Sequence, residues 1–246
     1  MPAQHHPIFS GFSPYIGEIP NGHEYDFLGT MARPEFQARE SSGEMVPVTT
    51  DYPNQDEDYL EWIDLLESVD LAGSEYTMVE LGAGFGRWAV RAAFAASQRK
   101  KGWHIIAVEA EPTHFEWMTM HFRDNGLDPA SHTLVHAAVP AVNLEELTRT
   151  CNIIDLIEMD IQGHELAVVS EGIALLNDKV KRMHIGTHSA EIEHGLRELL
   201  GAQGWSCLFD YEGNGTSETL WGTFHFQDGV QSWENPRLRQ PSPGPL

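Results

Sequence analysis

The chain has 246 residues, a 41% apolar share and a formal net charge of −22, which is room for one α/β domain with an extension and an unfavourable surface for a phosphate backbone. No run approaches the roughly 18 apolar residues of a membrane span, and "MPAQHHPIFSGFSPYIGEIP" lacks a basic flank before an apolar stretch, so a cytoplasmic protein without a signal peptide is expected. The two cysteines, Cys151 and Cys207, fit neither a disulfide framework nor a zinc spacing and are expected to be small reduced core residues.

Residues 1 to about 55 carry Phe9, Phe12, Tyr15, Tyr25, Phe27 and Phe36 with little periodicity. That is too ring-rich for a disordered tail and reads as an irregular arm packed on the domain. The segment "DEDYLEWIDLLESV" then places Tyr59, Trp62, Ile63, Leu66 and Val69 at helical spacing after an acidic first turn. From there strands and helices alternate. "YTMVEL", "WHIIAVEA", "HTLVHAAV", "IIDLIEM" and "RMHIGTH" read as strands, each followed by a helical segment. Two final strands, "WSCLFDY" and "LWGTFHF", are joined by the turn residues "EGNGTSE", so the last should run antiparallel. The pattern predicts an α/β fold, a doubly wound, seven-stranded, mostly parallel Rossmann-like sheet. Residues 1–70 form the arm and its helix, placed over an acceptor pocket; residues 71–230 form the cofactor-binding domain; residues 231–246 form a Pro-rich tail.

The first strand runs into "MVELGAGFGRWAV", where Gly82, Gly84 and Gly86 let the backbone pass close to a ligand before a helix starts. A dinucleotide site wants G-x-G-x-x-G, but Arg87 stands where the third glycine belongs. Glu80 ends the strand beside the loop, where an acid opposes a pyrophosphate and suits a cationic amino-acid tail. S-adenosylmethionine (SAM) has such a tail and a sulfonium. The second strand ends in Glu109, whose two oxygens match the two vicinal hydroxyls of a ribose, with Ala110 beside it. His136 and Ala137, at the end of the third strand, offer an adenine wall. An NAD-type oxidoreductase and a non-catalytic SAM-binding or interaction protein are the competing classes.

Several blocks in order resemble the FkbM family of class I SAM-dependent methyltransferases over roughly Met78 to Phe226: "VELGAGFGRW", "AVEAEPTHFEWMTMHFRDNGL", "LVHAAV", "IDLIEMDIQGHELAVVSEG" and "RMHIGTHS". The chain departs from the family where the fifth strand reads "GTH" and where His164 replaces a common small residue. The resemblance implies methyl transfer to oxygen on a polyketide, a sugar or a related natural product. On the acceptor side, His188 and Asp160 end two strands and are the candidate general base and its orienter, with His164 as the alternative base. Asp160 should also face the cofactor methyl. Glu165 is expected to cap its helix and His184 to be a satisfied core residue. A carboxylate acceptor needs no base and is the alternative. A divalent ion held by Asp160, His164 and His188 is a further alternative, although no spacing demands one, so no metal is assigned. "MDIQG" lacks the Pro-Pro-aromatic motif of nucleic-acid amino-methyltransferases. The expected partner is therefore a small-molecule acceptor, with no nucleic acid and no membrane, and the arm would suit a homodimer contact.

Overall fold

The structure is a computed structural model that describes residues 5–37, 43–139 and 141–238. The arm holds β1 (Ile16–Pro20), β2 (Glu24–Tyr25), β3 (Met31–Ala32) and β4 (Met45–Thr49) in two short antiparallel ladders, β1 with β4 and β2 with β3. There follow α1 (Asp58–Leu71), β5 (Glu75–Leu81), α2 (Arg87–Gln98), β6 (Gly102–Glu109), α3 (Pro112–Asp124), β7 (Thr133–His136) and α4 (Leu144–Leu147). The second half contains β8 (Leu156–Met159), α5 (Glu165–Lys179), β9 (Arg182–Thr187), α6 (Ala190–Ala202) and β10 (Ser206–Tyr211). Last come β11 (Gly215–Thr219), β12 (Gly222–Phe226) and β13 (Gly229–Glu234).

Seven strands form the central sheet in the order β10-β13-β9-β8-β5-β6-β7. Only β13 runs against the others, antiparallel to both β9 and β10. This is the doubly wound, Rossmann-like sheet of class I methyltransferases, as the alternation of elements predicts. Apolar runs such as Ile105–Val108 are buried because helices cover both sheet faces. One core, containing Trp62, Met78, Val90 and Phe122, lies under α1–α3 and the arm; the other, containing Val79, Ile157, Val169 and Leu196, lies under α4–α6.

Three expectations need correction. The seventh sheet strand is β13, not "LWGTFHF"; the latter pairs as β12 with β11 in a separate hairpin that sends Phe224 and Phe226 into the core around α1. The tail therefore cannot begin at residue 231, since residues 231–234 belong to β13, while residues 239–246 lie outside the described residues. Cys151 is buried as expected, but Cys207 is exposed on the edge strand β10. The arm itself is core: Phe9, Phe12 and Phe27 are buried against α1. Among the described residues no helix is long and apolar enough to cross a membrane.

Helix α1 is docked by more than its apolar stripe. Glu80, Glu158, His184 and Ser232 are register neighbours across β5, β8, β9 and β13 and therefore share the sheet face beneath α1. Asp64 of α1, fully buried, accepts hydrogen bonds from Arg182 (3.0 Å), His184 Nδ1 (2.7 Å) and Ser232 (2.7 Å). His184 is thus the satisfied core residue that was expected. This network fixes how α1 sits over the carboxyl ends of the strands, where doubly wound sheets bind ligands.

Candidate active site

The three loop glycines all have positive φ, +84° at Gly82, +52° at Gly84 and +74° at Gly86, but their surroundings differ. A Cβ on Gly82 would lie 1.8 Å from the Asp160 carbonyl oxygen, so this glycine lets β5 and β8 come together at their ends. A Cβ on Gly86 would lie 2.9 Å from Met118, so this one admits α3. Nothing lies within 4 Å of a Cβ on Gly84, which leaves an open cradle above the loop. Glu109 accepts hydrogen bonds from the backbone N–H groups of Gly84 and Glu111, each at 2.7 Å. Its carboxylate has further lone pairs for ribose hydroxyls. Beside it, His136 Nε2 lies 3.1 Å from the Ala110 carbonyl and its ring stacks on Phe115 at 5.0 Å, with Ala137 N–H bonded to the Glu109 carbonyl. The open cradle and the ribose-type carboxylate fit SAM.

Glu80 faces the same cavity but is used differently from expectation. Its oxygens accept the N–H groups of Trp88 (3.3 Å) and Ala89 (3.0 Å) at the start of α2. Burial pushes its carboxyl up to about 8, against the pull of those two N–H donors. It therefore braces the loop–helix junction as well as lining the site.

On the acceptor side the structure gathers Asp160, His188 and Glu165. His188 Nδ1 meets Glu165 Oε1 at 2.8 Å, and His188 Nε2 lies 3.2 Å from Asp160 Oδ1. Glu165 is fully buried and also accepts the N–H groups of Ile161 (3.2 Å) and Gly163 (3.0 Å), so it braces the turn before α5. The N–H groups it accepts belong to that turn and not to α5, so the structure shows a brace where a helix cap was expected. His188 Nε2 is buried, whereas the Asp160 side chain is 48% exposed and lines the cavity. Asp160 thus faces the cavity and His188 stands behind it. Burial raises the Asp160 carboxyl above its usual range, and His188 pulls it back. His164 is exposed at the start of α5 and does not line the cavity.

The cavity, about 310 Å³, lies between the glycine loop, α1 and the ends of β8 and β9. Glu57, just before α1, and Asp58 and Glu61 of α1 line it, but residues 5–37 of the arm do not. The cover over the site is thus α1 rather than the ring-rich arm. Sequence reasoning missed five lining acids: Glu57, Asp58, Glu61, Glu158 and Asp228. Glu158 was detectable as an acid inside the apolar run "IIDLIEM". Glu61 and Glu158 are both held well above the carboxylate range, first by burial and then by neighbouring acids. A larger groove of about 600 Å³ between α4 and α5 shares no lining residue with this cavity.

No family model matches the chain. It is 26% identical over 197 residues to a Jannaschia sp. (strain CCS1) protein described as "Putative methyltransferase", covering 62% of this chain and 70% of that one. Among solved structures, the precorrin-6y C5,15-methyltransferase of Geobacter metallireducens GS-15 superposes with a TM-score of 0.50 at 16% identity, covering 71% of this chain and 86% of that one. Sheet order, loop geometry and this relative agree: the chain has the fold of a SAM-dependent methyltransferase, with its glycine loop where that fold takes its cofactor.

Proposed function

We propose that the protein is a SAM-dependent O-methyltransferase of the FkbM type, acting on a hydroxyl of a small molecule. The carrying observation is the Asp160 carboxylate, which faces a cavity beside the glycine loop and is backed by His188 and Glu165. The acidic lining of the cavity favours a small acceptor over a nucleic acid.

Bound SAM would supply an activated methyl group. Gly82, Gly84 and Glu80 would flank its methionine end, and Glu109 its ribose. Asp160 would take the acceptor's hydroxyl proton as that oxygen receives the methyl group that SAM supplies. A carboxyl raised by burial is a better base than a solvated one, which is the condition a general base needs. His188, fixed by Glu165, positions Asp160 and stabilises its charge. Alignment in a closed site supplies most of the rate, up to roughly 7–11 kcal/mol in favourable cases. The test is turnover: SAM should be converted to S-adenosylhomocysteine with a metabolite pool, and Asp160→Asn should abolish it without abolishing binding of S-adenosylhomocysteine.

One observation favours a second reading. Asp160, Glu165 and His188 bring one donor atom each within 4.8 Å of one another, and Glu165 Oε2 and His188 Nε2 are buried without hydrogen-bond partners. A divalent ion held there would activate the hydroxyl directly. Loss of turnover in EDTA, restored by Mg²⁺ or Mn²⁺, would select it; unchanged turnover selects Asp160 as base.

A further inference from the structure

We propose that Gln162, in the turn between β8 and α5, is a positioning residue for the reaction: its side-chain amide holds Asp160 with one carboxylate oxygen turned to the acceptor. This rests on the methyltransferase reading above, with Asp160 as base. Gln162 Nε2 donates to Asp160 Oδ1 at 2.8 Å. His188 Nε2 lies 3.2 Å from the same oxygen, yet it makes no hydrogen bond. The imidazole backs the carboxylate, and the directional bond comes from the amide. Among the described residues this is the one hydrogen bond of the Asp160 side chain. It occupies Oδ1 and leaves Oδ2 for the acceptor's hydroxyl proton.

The backbone of the turn points the same way. Gln162 has φ +53° and Gly163 φ +100°. Glycine or asparagine is the low-energy choice in this left-handed region, and a longer side chain is held there at a cost. The buried Glu165 carboxylate imposes the conformation. Its Oε1 accepts the N–H groups of Ile161 at 3.2 Å and Gly163 at 3.0 Å, one on each side of Gln162. The turn so gripped brings the Gln162 amide back onto Asp160, two residues earlier. The same Glu165 oxygen meets His188 Nδ1 at 2.8 Å, so one buried carboxylate fixes both neighbours of Asp160. Left-handed backbone imposed by its surroundings beside a reacting group is where strain serves function.

A glutamine that only stabilised the turn would act on folding; one that orients Asp160 acts on turnover alone. Two substitutions separate these roles. Gln162→Met keeps the length and the left-handed penalty but loses the donor. Gln162→Gly loses the donor and the penalty together. The residue is exposed, so both leave the core untouched.

The test uses the whole protein, SAM and a small-molecule extract supplied over a range of dilutions, with S-adenosylhomocysteine release as the readout. Both variants should lower the limiting rate roughly ten- to a hundredfold, the scale of a misplaced catalytic group. The half-saturating dilution and the affinity for S-adenosylhomocysteine should not change. The Tm of Gln162→Gly should equal or exceed that of the wild type, by up to about 4 °C, while Gln162→Met gains nothing. In the Asp160→Asn background neither substitution should slow the reaction further, because Gln162 acts only through Asp160. A wild-type limiting rate in both variants overturns the proposal. So does a further loss in the Asp160→Asn background, or a Tm of Gln162→Gly below wild type, which would make the glutamine a structural prop. Weaker binding of S-adenosylhomocysteine in both variants also overturns it and assigns the amide to the cofactor. A wild type that releases no S-adenosylhomocysteine, or an Asp160→Asn variant as fast as the wild type, is a separate result and sinks the reading on which the proposal rests.

Discussion

Alanine at Gly82 and alanine at Gly84 should fail in opposite ways, although the two glycines are two residues apart. Both have positive φ, +84° and +52°, so either alanine incurs the left-handed penalty of about 1–2 kcal/mol. At Gly82 the new Cβ would also lie 1.8 Å from the Asp160 carbonyl oxygen and 2.8 Å from its carbon. That obstacle is backbone, so β5 and β8 must separate at their ends, at a further cost of about 1–3 kcal/mol. At Gly84 the Cβ meets nothing within 4 Å and projects into the cradle. Gly82→Ala should therefore lose about 2–5 kcal/mol of stability, a fall of some 5–15 °C in Tm at about 2–4 °C per kcal/mol. Gly84→Ala should lose only about 1–2 kcal/mol of stability but most of its affinity for S-adenosylhomocysteine. Urea unfolding measures the first quantity and titration calorimetry the second. Equal destabilisation of both variants would refute the packing argument. Unchanged S-adenosylhomocysteine binding by Gly84→Ala would refute the cradle.

The remaining predictions concern the carboxyls and their partners. Glu109→Ala should weaken SAM binding by about 1–3 kcal/mol, and calorimetry showing no change would remove Glu109 from the site. Asp160→Asn should lower kcat by roughly 10²–10⁴ with S-adenosylhomocysteine affinity nearly intact. His188 lowers the Asp160 carboxyl, so His188→Ala should shift the acid limb of the kcat profile to higher pH, whereas a merely structural His188 would leave the limb in place. Folded Glu80, pushed up to about 8 by burial, keeps a proton that the unfolded chain releases near 4.5. Its contribution to stability is thus complete at low pH and is lost as pH rises towards about 8, at up to about 1.4 kcal/mol per pH unit. Glu80→Gln should flatten that slope in denaturation series, and an unchanged slope would count against a protonated Glu80.

The cofactor half of the molecule was legible because its chemistry is local. Each strand end carries its residue in sequence: Gly82, Gly84 and Gly86 after β5, Glu109 as the last residue of β6, Asp160 after β8 and His188 after β9. What escaped reading depended on partners distant in sequence. Strand β13, "GVQSWE", shows no apolar alternation because Gln231 and Ser232 are buried polar residues, satisfied by Glu193 and Asp210 in one case and Asp64 in the other. "LWGTFHF" does alternate, and its hairpin burial of Phe224 and Phe226 imitates a sheet strand. That Asp160 and not His188 lines the cavity was likewise unreadable, since Glu165, 23 residues before His188, holds the imidazole through its Nδ1. The acid pair Glu61–Glu158 joins a helix and a strand almost a hundred residues apart, and only their packing makes a cavity wall of it.

Methyl transfer itself is the most direct test of the account. The protein, SAM carrying an isotopically labelled methyl group and a metabolite extract fractionated by charge should be incubated together and followed by mass spectrometry. The predicted result is equimolar S-adenosylhomocysteine and a small-molecule product heavier by one methylene, both formed roughly 10²–10⁴ times more slowly with Asp160→Asn. Label recovered only on nucleic acid, or SAM bound by the protein with no methyl transferred to any small molecule, would contradict it.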